Sequence, residues 1–212
     1  MPRLLLITAA SYLLGSIPFG YLLVRIFRGE DVRQSGSGNI GATNVSRKSP
    51  VLGVMTLVLD ALKGSAAVAL AAYLSGRLDA TRPYEAMSLA ALSAVVGHMF
   101  PLWLKFHGGK GVATGLGSFV MIAPKAVLIA AGIFVAAVLL FRYVSLGSIL
   151  SVAAFPLLVW LLRGYGNAWL ALASMATASL LIVARHHENI CRLLAGTEKR
   201  FGSTSVSRSE KR

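Results

Sequence analysis

Three stretches of this chain gather the residue types that handle phosphate. The first reads SGSGNIGATNVSR over residues 35–47. Gly36, Gly38 and Gly41 satisfy G-x-G-x-x-G, and Asp60 follows Gly41 by 19 residues. Context excludes a dinucleotide fingerprint, because an apolar run of membrane length precedes the glycines and Asp60 lies inside the next one. The physics of the glycines remains: such spacing lets backbone N–H groups converge on an anion, with Ser37, Asn39 and Thr43 as side-chain donors. Arg47 adds a charge and a bidentate fork for phosphate. The competing reading is a flexible glycine turn before a helix capped by Thr43 or Asn44.

The second stretch, HMFPLWLKFHGGKG, ends in Gly108, Gly109, Lys110 and Gly111. A Walker A motif requires Gly at position 104 and Ser or Thr at 111, where this chain has Leu104 and Gly111, so ATP hydrolysis is not supported. A lysine among glycines at the start of Val112–Pro124 still places a cation beside helix-start amides. The third stretch is RHHENICRLLAGTEKRFG, from Arg185 to Gly202. His186 and Asn189 are i and i+3 on a helix and share a face, with Arg192 one turn further along; His187 points elsewhere. Adjacent histidines make a poor metal pair, so no metal site is expected. The acid–base pair His-x-x-x-x-Asp is missing as well: the fifth residues after His98, His107, His186 and His187 are Trp103, Val112, Cys191 and Arg192. Asp60 and Lys63, i and i+3 inside an apolar run, read as a mutually neutralising structural pair, and His98 as a hydrogen-bonded bundle histidine rather than a catalyst.

These stretches must be held by elements that cross a bilayer. Of the 212 residues, 56% are hydrophobic and only 14% charged, which excludes a disordered chain and does not suit a water-soluble globule. The net charge of +13 fits aqueous basic loops alternating with lipid better than nucleic-acid binding. The single Cys191 excludes an intrachain disulfide. Apolar runs of spanning length or near it fall at Leu4–Val24, Val51–Leu74, Ala86–Leu104, Ala126–Phe141, Tyr143–Leu162 and Asn167–Ala184. Gly111–Pro124 is short, either a brief span or a re-entrant piece. If it crosses, one face collects 15 Lys and Arg against five on the other: Arg3, Arg77, Arg82, Lys125 and Arg163. If it does not, the split becomes 9 against 11. The strong asymmetry favours seven transmembrane helices, N-terminus outside and C-terminus cytoplasmic. Residues 25–50, 105–110, 142–148 and 185–212 then share the cytoplasmic face. The expected fold is an all-α integral membrane protein, one domain over residues 1–202, with a disordered basic tail at 203–212.

SGSGNIGATN, GHMFPLWLKFHGGKGVAT and RHHENICRLLAGTEKRFG, in that order, resemble the bacterial acyl-phosphate–glycerol-3-phosphate acyltransferase family, PlsY. The similarity extends through LLGSIPFG, LDALKG and RYVSLGSI, and only the tail after Gly202 falls outside it. The resemblance implies a seven-span enzyme of the bacterial inner membrane that acts at the cytoplasmic side. It would move a fatty acyl group from acyl phosphate to the 1-position of glycerol 3-phosphate, giving lysophosphatidic acid and phosphate, the first acylation of phospholipid synthesis. No cofactor is implied; the donor would come from a peripheral partner enzyme, PlsX. By similarity, Ser37, Gly38, Asn39, Thr43, Gly109 and Lys110 would cradle the acyl phosphate, and Gly108 and Gly111 would also be substrate-binding. Arg47, Lys110, Ser148, His186 and Asn189 would hold glycerol 3-phosphate, with Ser37, Lys110, His186 and Asn189 closest to the chemistry. An acyl phosphate is a mixed anhydride with a good leaving group, so positioning and electrostatic stabilisation could supply most of the acceleration of a direct transfer; an acyl intermediate on Ser37 is the mechanistic alternative. The rival class, an anion transporter, would want ionisable groups near the midplane and internal repeats; this chain offers only Asp60, Lys63 and His98 at depth.

Overall fold

The computed structural model describes residues 2–77, 83–162 and 168–202. The tail from Ser203 and the centres of two expected external turns lie outside them. Ten α-helices occupy the described residues: α1 (Pro2–Gly15), α2 (Phe19–Arg28), α3 (Ala42–Ser46), α4 (Pro50–Arg77), α5 (Pro83–Met99), α6 (Val112–Val120), α7 (Pro124–Phe141), α8 (Val144–Leu161), α9 (Trp169–Ala184) and α10 (His187–Leu194). The all-α expectation holds. Five segments are long and apolar enough to cross a membrane: Leu4–Arg28, Pro50–Ser75, Tyr84–Leu104, Pro124–Phe141 and Val144–Leu161. The pair α9–α10, bent by 52°, makes a sixth. The seventh expected span, α6, has nine residues. At 1.5 Å per residue it is about 14 Å long, half a hydrocarbon core of ~30 Å.

The first crossing is broken at Pro18, which cannot donate a backbone hydrogen bond. The break leaves the Ile17 carbonyl to accept from Lys63 Nζ at 2.7 Å. Ser16 Oγ returns to the Tyr12 carbonyl (2.8 Å), and Tyr12 ties the break to α5 by donating its hydroxyl to the Phe100 carbonyl, also at 2.8 Å.

Small residues let the helices approach closely, the usual device where lipid removes the hydrophobic drive between them. Added Cβ atoms at Gly64 and Gly117 would overlap the carbonyl oxygens of Thr114 and Ala61, so α4 and α6 meet backbone to backbone. Ser65 Oγ closes the contact by donating to the Gly117 carbonyl at 2.7 Å. The α6 C-terminus then joins the core of Val68, Phe119, Ile122, Ala123 and Phe155. The outer surface is apolar: Leu5, Leu128, Leu139, Leu140 and Leu180 are each at least 70% exposed, a pattern water would not tolerate and lipid does.

The close α4–α6 approach generates a stability test. Gly117→Leu should force these helices apart and cost about 3 kcal/mol or more. Gly132→Leu, on α7 with nothing within 4 Å of its added Cβ, should be nearly neutral. Thermal unfolding in detergent compares the two.

Candidate active site

The loops that follow α2, α5, α7 and α9 converge at one end of the bundle around a cavity of about 300 Å³. Its wall includes Ser37, Asn39, Thr43, Arg47, Lys110, Gly111, Ser148, His186 and Asn189. Nine of the twelve residues expected from the sequence therefore meet in one place.

The first loop is organised from inside by Asn44, which is buried. Its Nδ2 lies within hydrogen-bonding distance of the carbonyls of Val32 (3.1 Å), Ser35 (3.0 Å) and Asn39 (2.9 Å). Its Oδ1 accepts from the Ser37 amide at 2.9 Å. Gly36 has φ +63° and a side chain there would overlap Asn44 Oδ1, so the tight turn demands glycine. This removes the capping role that the competing reading gave Asn44 and corrects one expectation, that of convergent loop amides. Asn44 is the hub of the loop, not a helix cap. The loop amides largely turn inward, Ser37 to Asn44, Gly38 to the Ser35 carbonyl and Gly41 to Asn39 Oδ1, so no open nest forms there. Gly38 stays off the wall; Ser37, Thr43 and Arg47 meet the cavity instead.

Gly108 and Gly109 also stay off the wall. They are buried against α5: Gly108 N donates to the Met99 carbonyl (3.1 Å) and Gly109 N to the His98 carbonyl (3.0 Å). They seat the lysine that follows. Gly111, with φ +86°, opens α6, and the first turn, Gly111–Val112–Ala113, lines the cavity. Helix-start amides there complement an anion.

Lys110 donates to Asn189 Oδ1. Asn189 Nδ2 donates to Glu198 Oε1 at 2.6 Å, and Glu198 also accepts from Ser145 Oγ (2.7 Å) and Arg192 Nε (2.8 Å). Burial alone would raise the Glu198 pKa, but these three donors outweigh it and hold the carboxylate below its ordinary range. Burial, reinforced by the nearby Arg192 charge, lowers Lys110 to about 8, against an upward pull from Glu198. Ser145, Arg192, Thr197, Glu198 and Lys199 all line the cavity without having been singled out for it, although four lie within the third stretch.

His186 Nδ1 is 2.7 Å from the Ile182 carbonyl. A carbonyl only accepts, so Nδ1 carries the proton and Nε2 keeps its lone pair. A ready acceptor thus stands beside the cations.

Below the polar cavity a second space of about 230 Å³ runs between α6, α7, α8 and α9. Leu57, Val112, Ala113 and Phe134 border both. One stripe of α8 passes from Ser145 and Ser148 in the polar part to Ser151 and Phe155 in the apolar part. Phe119 and Phe155, with centroids 4.8 Å apart, lie in that stretch. The arrangement suits an amphiphile with an anionic head and a hydrocarbon tail.

Fold and cavity thus define a polytopic membrane enzyme with a cationic cavity opening on an apolar groove. A family model described as glycerol-3-phosphate acyltransferase matches residues 5–196, and the chain belongs to that family. It is 49% identical over 193 residues to the glycerol-3-phosphate acyltransferase of Syntrophotalea carbinolica, covering 91% of this chain and 94% of that one. It is 45% identical over 203 residues to the Sinorhizobium fredii protein of the same name, covering 95% and 94%. The crystal structure of PlsY (YgiH), an integral membrane glycerol 3-phosphate acyltransferase in its glycerol 3-phosphate form, matches with TM-score 0.83 and 38% identity over 94% of this chain and 96% of that one. Its lysophosphatidic acid form matches with TM-score 0.80 and 36% identity. The chain is an acyltransferase of phospholipid synthesis.

Lys110 makes the pH dependence testable. An ammonium attracts phosphate only while protonated, so a substrate phosphate held by Lys110 would make kcat/KM for glycerol 3-phosphate fall as pH rises through about 8. Glu198→Gln removes a charge that raises this pKa and should move the fall to lower pH. Lys110→Arg, charged throughout, should remove that limb, whatever its effect on the absolute rate. A pH–rate series on purified protein checks all three.

Proposed function

We propose that the protein transfers a fatty acyl group directly from acyl phosphate to the 1-hydroxyl of glycerol 3-phosphate, releasing lysophosphatidic acid and inorganic phosphate. The observation that carries this reading is the join between the cationic cavity and the apolar groove through shared walls at Val112, Ala113 and Phe134. Acyl phosphate is an amphiphile that needs both. Glycerol 3-phosphate needs only the polar part, and the related PlsY was solved in glycerol 3-phosphate and lysophosphatidic acid forms.

Ser37, Asn39, Thr43, Lys110 and the first turn of α6 hold the acyl phosphate. Arg47, Ser148, His186 and Asn189 hold glycerol 3-phosphate, with Lys110 between the two phosphates. The His186 Nε2 lone pair accepts a hydrogen bond from the 1-hydroxyl and aims its oxygen at the acyl carbon. As that C–O bond forms, Lys110 and the Ser37 hydroxyl stabilise the developing oxyanion. The C–O bond to phosphate then breaks, and the leaving phosphate takes the hydroxyl proton. Gly38, Gly108 and Gly109 act from behind by shaping the two loops. The acyl tail lies in the groove. In the cell the donor is an unstable anhydride, supplied by the acyl-phosphate-forming enzyme PlsX at the same membrane face.

The chain crosses the bacterial inner membrane seven times as one domain, with the cavity cytoplasmic. The 15-to-5 charge split supports this orientation. For α6, the supporting observation is its course beside α4, from the cavity wall at Val112 to the core around Val68 and Ala123. A start below the membrane surface would let so short a helix complete the traverse.

Lys110→Ala should lower kcat as well as glycerol 3-phosphate affinity, by about 2–4 kcal/mol in the transition state. Arg47→Lys should chiefly raise KM for glycerol 3-phosphate, since it keeps charge and loses the fork. Wild-type protein should use acyl phosphate without ATP or CoA and at full rate in chelator; comparable turnover of acyl-CoA contradicts the donor. Orientation is read by thiol labelling in intact cells. Cys191, exposed on α10, should stay unlabelled, whereas Lys125→Cys in a Cys191→Ser background should label from outside.

A further inference from the structure

Lys63 is buried to 5% exposure near the middle of α4, and three acceptors surround its ammonium. These are Asp60 Oδ1 at 2.8 Å, the Ile17 carbonyl at 2.7 Å and His98 Nδ1 at 3.0 Å. An ammonium has three N–H bonds and no lone pair. It can face His98 Nδ1 only if that nitrogen carries no proton. A neutral ring facing the ammonium then holds its proton on Nε2, with Asp60 Oδ1, 3.6 Å from the same Nδ1, as the competing acceptor for a proton there.

The other side of the ring meets the site. His98 and Asp60 both line the polar cavity, although His98 is only 3% exposed. Nε2 presses so closely on Gly109 that a side chain there would overlap it. His98 also accepts the Gly109 amide through its own carbonyl. Among the described residues, no hydrogen bond within the protein engages Nε2. A donor held in one tautomer and left without a protein acceptor beside the Gly109–Lys110 loop, on a residue that lines the cavity, is suited to an oxygen of a bound ligand.

We propose that His98 Nε2–H is a further donor to the substrate, hydrogen-bonded to a phosphate oxygen of the acyl donor, and that Lys63, kept charged by Asp60, is the positioning residue that holds it in that tautomer. This rests on the acyl-phosphate reading of the same cavity. It also gives the buried charges a use: the triad ties the α1–α2 break, α4 and α5 to one donor under the catalytic loop. The sequence alone reads the same residues as a neutral pair and a bundle histidine.

Two substitutions separate donation from structural support. His98→Gln can place an amide N–H near the Nε2 position but gives up the acceptor beside Lys63. His98→Asn keeps an oxygen near Nδ1 for Lys63 and reaches no further. The proposal expects His98→Gln to retain most of the wild-type kcat with acyl phosphate. It expects His98→Asn to lose about tenfold to a hundredfold, as for one hydrogen bond to a charged group, with KM for glycerol 3-phosphate little changed. The opposite order, with Asn active and Gln inactive, overturns it in favour of a purely structural ring. A wild-type protein that does not use acyl phosphate overturns the donor reading instead. Should either variant fail to fold, 15N-histidine spectra of wild-type protein decide. Protonated Nε2, bare Nδ1 and a shift of the Nε2–H signal on adding inorganic phosphate support the proposal; a ring protonated at Nδ1, or an unmoved signal, overturns it.

Discussion

The hydrogen bond from Lys110 to Asn189 is the contact on which the site depends. Lys110 arrives on a loop from α5 and Asn189 on α10, 79 residues later in the chain. Their junction closes the cavity across the end of the bundle. The cation is partly desolvated, which lowers its pKa to about 8, so it remains charged at neutral pH only by a modest margin. Asn189 cannot neutralise it, and Glu198 pulls the other way through Asn189 and space. A phosphate dianion entering this environment finds a cation that gains from its arrival. That gain is larger here than for a solvated surface lysine, because little water screens the pair.

The rest of the fold serves that junction by bringing loops of very different length to one depth. Gly108 and Gly109 can lie flat on α5 because they lack side chains, and their amides use the His98 and Met99 carbonyls at the end of that helix. The close α4–α6 contact lets a nine-residue helix present its amide end to the cavity and its opposite end to the apolar core. The chain after α10 returns across α8, where Phe201 N donates to the Arg142 carbonyl at 2.6 Å and Glu198 accepts from Ser145. The polar cavity and the apolar groove share α6 and α8 as common walls, so in the proposed reaction the bond between phosphate and acyl carbon would fall where the two environments meet.

Much of this was legible in the residues. Apolar runs located the helices, since lipid imposes length and composition together. Phosphate-binding residue types clustered in three loops, and nine of twelve expected site residues line one cavity. What stayed hidden depended on direction and partner. The loop amides at Ser37, Gly38 and Gly41 turn inward because Asn44, Ser35 and Asn39 supply acceptors, which glycine spacing does not reveal. Glu198 looked like one charge in a basic stretch; it becomes a hub only because the chain doubles back over Ser145. His98 and Lys63 were assigned by their depth in apolar runs, whereas the role proposed for them rests on which acceptors face the Lys63 ammonium. Pro18 lies inside the run Leu4–Val24 that reads as one span; only the fold shows the break there and the freed carbonyl that meets Lys63.

The central claim is direct transfer in one cavity, with no acyl group ever bonded covalently to the protein. Mixing purified wild-type protein with acyl phosphate alone, quenching within one turnover time and weighing the intact chain tests it most directly. The account predicts unmodified protein and no burst of phosphate until glycerol 3-phosphate is added. A mass increase of one acyl group, located at Ser37 and matched by a stoichiometric phosphate burst, would contradict it.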